Sequence, residues 1–174
     1  MTPEFSRPVR IDTLGPGPRA MTVTADQDER AALAARFGLE TLEQLDAALT
    51  LTAREDAISL DGRLHARAVQ SCVASGAPVP ATIDEPFSVA FRPQPATAAE
   101  AELEVGTGEL DVIFYDGASI DVGEAVAETL ALALPPFPRA PDAAAALRDA
   151  GVLSEEDAAA EKTSRSPFAV LKKG

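Results

Sequence analysis

In residues 79–91, VPATIDEPFSVAF, the apolar positions Val79, Ala81, Ile83, Phe87, Val89 and Phe91 are all odd-numbered. A period of two sustained over this length belongs to a strand with one apolar face, and it holds in spite of Pro80 and Pro86. The segment upstream keeps the same period. Ala47, Leu49, Leu51 and Ala53 share one side of a strand, REDA at 54–57 turns, and Ile58, Leu60, Leu64, Ala66 and Ala68 share one side of the next. Three such strands in succession predict an antiparallel meander with one face in water.

Helices are expected on either side of the meander. After a short strand at 21–24, Asp26 stands three residues before Glu29, the spacing of a capping box, and Ala32, Leu33, Arg36 and Phe37 carry the helix to Gly38, placed as a C′ residue. Farther on, Val122, Val126, Leu130 and Leu134 line one face of a second helix beside Glu124 and Glu128, until Pro135 and Pro136 stop it. Phe5, Arg7, Val9 and Ile11 alternate around Pro8 as in an edge strand, and VIFY at 112–115 reads as another short strand. Residues 93–111 are acidic, small and aperiodic, which predicts a mobile loop. The expected fold class is therefore α+β: an antiparallel β-meander or sheet packed with two main helices over residues 1–138. Residues 139–174 are expected to be a weakly helical, flexible C-terminal tail, because the short Ala-rich helices starting near Asp142 and Ser154 are marginal without a surface to dock on.

Charge then narrows the function. The net charge is −13, and residues 76–137 concentrate it, with 1 Lys/Arg against 11 Asp/Glu. Phosphate neutralisation by Lys and Arg supplies most non-specific affinity for nucleic acid, so this body suits a basic protein partner better than bare RNA or DNA. No run approaches the ~20 apolar residues that cross a bilayer, and the N-terminal MTPEFSRPVRID lacks the apolar stretch of a signal peptide, so a cytoplasmic protein without membrane contact is expected. A single cysteine, Cys72, forms no internal disulfide, which agrees with a reducing compartment.

Catalytic and metal-binding readings find little support in the residues. The chain has one His and one Cys, and on one strand His65 and Cys72 would stand roughly 23 Å apart on opposite faces, too far for a dyad. Cys72 reads better as a small half-buried hydrophobe. A closed zinc site takes about four N or S ligands, which this pair does not supply. The carboxylates Asp26, Asp28 and Glu29, and Glu102 with Glu104, lack the spacing of a calcium loop, and GPGP at 15–18 lacks the N–H groups of a phosphate cradle. No catalytic residue, metal or cofactor is assigned. Two binding features remain. Arg63, His65 and Arg67 share one face of a strand, with Arg54 on the same hairpin, as a solvated face or a small RNA-contacting patch. Phe168, Val170 and Leu171, followed by Lys172 and Lys173, read as a docking segment at the C-terminus.

Four phrases, EFSRPVRID near the start, GRLHARAVQSCVASGAPVPATIDEPFSVAFRP through the central hairpin, IDVGEAVAETLALALPPFP at the second helix and SPFAVLKK at the end, stand in the order found in the YceD family. The chain thus resembles the large ribosomal RNA subunit accumulation proteins. The resemblance implies a non-enzymatic bacterial factor for 23S ribosomal RNA accumulation and large-subunit biogenesis, binding a ribosomal large-subunit precursor, a basic ribosomal protein or an assembly factor, with direct rRNA contact left open. Many members carry a Cys-x-x-Cys at the central turn that resembles part of a small zinc site. Here Cys72 matches the first position and Ser75 replaces the second, so that the turn of Ser75, Gly76, Ala77 and Pro78 is expected to close without metal. Two rival functions stay open: a chaperone for a single basic ribosomal protein, and a metal-dependent rRNA-processing hydrolase that would need Asp111, Asp116 and Asp121 to converge.

Overall fold

The structure, a computed structural model, describes residues 3–94 and 111–152. In chain order its elements are β1 (Pro8–Arg10), a 3-10 turn (Ile11–Thr13), β2 (Arg19–Thr24), α1 (Gln27–Phe37), β3 (Thr41–Ala53), β4 (Ile58–Ser71), β5 (Pro78–Pro93), β6 (Asp111–Tyr115), β7 (Ser119–Asp121), α2 (Val122–Ala133) and α3 (Ala143–Asp149). The chain divides into a larger unit, Met1–Gln70 with Pro80–Pro136, and a smaller unit, Ser71–Val79 with Phe137–Gly174. The expected mobile loop lies outside the described residues apart from its ends, as does the helix start at Ser154. Among the described residues no helix is long and apolar enough to cross a membrane.

The larger unit is α+β. Its main sheet has the order β2-β3-β4-β5-β6. β2 and β4 flank β3 antiparallel, Leu51 facing both Arg19 and Leu60. The alternation read from the sequence is the alternation of burial: Leu45, Ala47, Leu49 and Leu51 of β3, Ile58, Leu60, Leu64, Ala66 and Ala68 of β4, and Ile83, Val89 and Phe91 of β5 are buried. Ala53, expected on the same face, is exposed because β3 ends there and the chain turns, Arg54 N donating to Ala57 O. Upstream of Leu45 the period fails for a structural reason. A bulge between Leu42 and Gln44 inserts one residue, so Leu42 and Leu45, three apart, are both buried.

Two departures follow from connectivity. β6 joins β5 in parallel, Val89 facing Asp111 and Phe91 facing Ile113, whereas an antiparallel sheet was expected. Parallel pairing requires the chain to cross back between the two strands. β6 accompanies only Val89–Pro93, so among the described residues Pro80 and Pro86 lie where β5 has β4 as its one strand neighbour, and the N–H groups they lack are dispensable there. The N-terminal strand is an edge strand, as expected, but of a separate two-stranded ribbon with β7, Val9 facing Ile120.

The helices begin where their caps place them. Asp26 accepts from Glu29 N at 2.9 Å and Asp26 N donates to Glu29 Oε2 at 2.8 Å, completing the capping box, and α1 closes on Gly38 at φ 65°. α2 starts at Asp121, whose Oδ1 accepts from Gly123 N at 3.0 Å, Glu124 N at 3.2 Å and Arg7 N at 2.8 Å, while Oδ2 accepts from Ser6 Oγ at 2.5 Å. Leu33 of α1, Val122, Val126 and Leu130 of α2, and Phe5 join the buried strand residues in one core. Arg36 ties the helices outside it, reaching Glu124 at 2.7 Å and Glu4 at 3.0 Å.

Gly123 is the tightest point of this arrangement. A Cβ there would meet the Phe5 carbonyl oxygen at less than contact distance and the Arg7 nitrogen at 2.9 Å, both backbone atoms. Replacing an exposed helical glycine by alanine normally stabilises by up to about 1 kcal/mol. Gly123→Ala is expected to do the reverse, lowering stability by about 1–3 kcal/mol as overpacking does, measured as a reduced urea midpoint for the purified chain. An unchanged or raised midpoint would show that the N-terminal segment does not pack here.

Candidate functional site

Because the apolar residues of β3, β4 and β5 point inward, the alternate residues must form an outer face. Arg63, His65 and Arg67 lie there together on β4, between the buried Leu64, Ala66 and Ala68. Arg54 does not join them, since it sits in the turn before β4. Carboxylates that sequence spacing did not bring near these three residues interleave with them. Asp46 of β3 faces His65 in register, and Gln44, facing Arg67, donates from Nε2 to Asp46 Oδ1 at 2.6 Å. From β5, Asp84 Oδ1 accepts from Arg63 Nε at 2.6 Å and stands 3.1 Å from His65 Nδ1. Asp61, two residues before Arg63 on β4, accepts from Ser88 Oγ at 2.6 Å.

The electrostatics follow from this geometry. The Arg63 guanidinium holds the Asp84 carboxyl below the ordinary carboxylate range, first by its hydrogen bond and then by its charge with that of His65. Asp84 in turn raises Arg63. Arg63 and Asp84 are each about half exposed, so the pair is screened by water and contributes little to stability. What it changes is recognition: an incoming phosphate must compete with Asp84 for Arg63, and Asp46 and Asp61 repel it. The face offers alternating charge and hydrogen-bonding groups in place of a continuous basic track.

The smaller unit holds Cys72. Its turn closes through Cys72 N to Ala77 O at 2.8 Å and Gly76 N to Cys72 O at 2.9 Å, with Gly76 at φ 71°, a backbone region that favours glycine. The thiol is 4% exposed, packed with Ala140 and Ala143. Backbone N–H groups of Ala140 at 3.3 Å, Ala74 at 3.4 Å and Ser75 at 3.4 Å converge on Sγ. Such donors favour the thiolate. The N–H of Ala140, then the Ser75 side chain and N–H, lower the Cys72 pKa to about 7, against the opposing effect of desolvation. The Ala140 contact was not legible in the sequence, because an alanine contributes only its backbone. The donor set does not fit zinc, which wants about four N or S ligands; among the described residues no three His, Cys, Asp or Glu residues cluster as a metal site.

The carboxylates required by a hydrolase are not brought together as a site. Asp111 opens β6 and Asp116 follows its last residue, about 16 Å away along an extended chain, and the Asp121 carboxylate is occupied by Ser6, Arg7, Gly123 and Glu124. Phe168, Val170, Leu171, Lys172 and Lys173 lie outside the described residues.

Titration of the thiolate absorbance is expected to show Cys72 half-ionised at about pH 7, against the usual cysteine value of about 8.5. Ser75→Ala should move that midpoint upward. A depressed folded pKa stabilises the folded form above the unfolded value, and the contribution is lost as pH falls through about 7. The melting temperature should accordingly gain a component rising from pH 6 to 9 that Cys72→Ala removes. A thiol midpoint at the usual value would refute the donor arrangement.

The family model described as large ribosomal RNA subunit accumulation protein YceD matches residues 60–173. A search of curated proteins and a search of solved structures each return no match. The matched stretch takes in the Arg63–Arg67 strand, the Cys72 turn, β6 and α2, and runs on to Lys173, so that of the four phrases compared with the family only EFSRPVRID falls outside it. With more than half of its length so matched, the chain belongs to the YceD family of large ribosomal RNA subunit accumulation proteins.

Proposed function

We propose that this protein assists large-subunit biogenesis by binding, without catalysis, a basic protein component of the assembling particle, either a ribosomal protein or an assembly factor. The observation that carries the reading is the outer face of the sheet, where Asp46, Asp61 and Asp84 interleave with Arg63, His65 and Arg67. A surface of alternating sign pairs with a polar protein surface, and residues 76–137, with 1 Lys/Arg against 11 Asp/Glu, bias the partner toward positive charge. Bare RNA is disfavoured by the same count, since each phosphate contact needs a cation free to displace counterions. Family membership supplies the setting, accumulation of the large-subunit RNA, and the terminal Phe168, Val170 and Leu171 with Lys172 and Lys173 supply a second contact in this reading. A cytoplasmic location follows from that setting.

The test is sedimentation of tagged protein from gently lysed cells at about 0.05 M and about 0.5 M salt, which shortens the screening length severalfold. Co-migration with large-subunit precursors at low salt, weakened at high salt, is expected, and deletion of residues 166–174 should reduce it. Recovery of one basic ribosomal protein free of RNA would assign the chaperone role. Protein that stays at the top of the gradient under both conditions would sink the reading, and metal-dependent cleavage of precursor rRNA by pure protein would replace it with a hydrolase.

A further inference from the structure

The two edges of the five-stranded sheet are finished differently. At the β2 edge the last carbonyl, Thr24 O, is taken by Arg7 Nη2 at 3.1 Å, and the strand opens on the charged Arg19. The β6 edge has neither device. Its sequence, DVIFY, carries no proline or lysine, and among the described residues no strand pairs with its far side. Unpaired strand edges are templates for a further strand unless they are blocked.

The backbone direction of β6 is defined by one hydrogen bond. Tyr115 O accepts from Gln94 N at 2.9 Å, so Tyr115 turns its peptide groups toward β5, and with it Ile113 and Asp111. Val112 and Phe114, which alternate with them, direct theirs to the open side. The side chains are incompletely covered as well. Ile113 and Tyr115 pack against the main core and yet are only partly buried, and Val112 is 38% exposed. None of the five residues of β6 is buried, in contrast to β2, β3, β4 and β5. One added strand would cover this apolar surface and satisfy the outward groups of Val112 and Phe114.

We infer that the β6 edge accepts an extended basic segment of a protein partner as a sixth strand. The charge at the site selects the partner. Exposed Asp111 and Asp116 bracket the strand, and the only cation in residues 76–137 is Arg92. An incoming strand therefore places apolar residues against Ile113 and Tyr115, and Lys or Arg on its other face and at its ends, where the two aspartates attract them. Main-chain hydrogen bonds provide affinity, and the alternate side chains provide selectivity. The inference rests on the reading that the partner is a basic protein, and it assigns that partner's contact to an edge, separate from the outer face.

The experiment uses the full chain and a synthetic heptapeptide of alternating lysine and valine, with its glutamate–valine counterpart as control. Amide exchange followed by NMR should show Ile113 and Tyr115 protected in the free protein, and Val112 and Phe114 exchanging fast. The lysine peptide should protect Val112 and Phe114, and the glutamate peptide should not. Val112→Pro removes an outward N–H while leaving the bonds to β5, a placement that proline tolerates, and it should weaken the lysine peptide at least about tenfold. The double variant Asp111→Lys, Asp116→Lys should weaken it by a similar factor, and keeps the test intact if the proline variant fails to fold. Val112 and Phe114 amides already slow in the free chain, peptide binding that leaves them unprotected, or no binding at all would each overturn the inference. Edge protection in a protein that never co-migrates with large-subunit particles would uphold the inference and sink the ribosomal reading. Co-migration undiminished by Val112→Pro would do the opposite.

Discussion

The larger unit depends on the Asp121 carboxylate. It caps α2 through Gly123 and Glu124, and holds the N-terminal segment through Arg7 N and Ser6 Oγ. Arg7, fixed in this way, extends its guanidinium to Glu29 at 2.6 and 2.8 Å and lies 4.6 Å over the Phe5 ring. Glu29 is itself half of the capping box that starts α1. A single sequence of contacts therefore sets the first turn of both helices and the β1–β7 ribbon between them. Each contact is an orphan helix N–H or a charge given a partner, worth about 1 kcal/mol for a cap and less for a half-exposed ion pair, so their value lies in geometry more than in stability.

That geometry seals the inner face of the sheet. Among the described residues no polar or charged residue is buried, and the core is continuous from Phe5 through the strands to Leu130 of α2. Two surfaces lie outside this core: the outer face, where Asp46, Asp61 and Asp84 interleave with Arg63, His65 and Arg67, and the β6 edge, with which no further strand pairs among the described residues. Apart from Asp46 on β3, the residues of both lie in the part of the chain matched by the family model. Among the described residues neither surface holds three His, Cys, Asp or Glu side chains grouped as a metal site.

Much of this was legible in the sequence because the signals are local. The alternation in residues 79–91, the Asp26–Glu29 spacing and the apolar face of α2 each reflect a repeat of two or 3.6 residues within one element. Arg63, His65 and Arg67 were legible as one face for the same reason. What escaped was the company they keep. Asp84 reaches Arg63 from 21 residues on, and the pairing of Asp46 with His65 depends on a strand register that the Leu42–Gln44 bulge helps to set. The bulge itself left only a broken period as its trace.

The sequence by itself determined the α+β class, the strand and helix faces, the helix starts and the acidic bias of residues 76–137, all consequences of hydrophobic periodicity, capping chemistry and charge, which act over a few residues. Tertiary structure alone decided that β6 runs parallel at the end of the sheet among the described residues, that β1 lies outside the main sheet and pairs with β7, that a Cβ at Gly123 would meet the backbone of Phe5 and Arg7, and that three backbone N–H groups converge on Cys72. These depend on which distant segments meet, and a chain closes such loops through the summed packing of its core, for which no local pattern is a record.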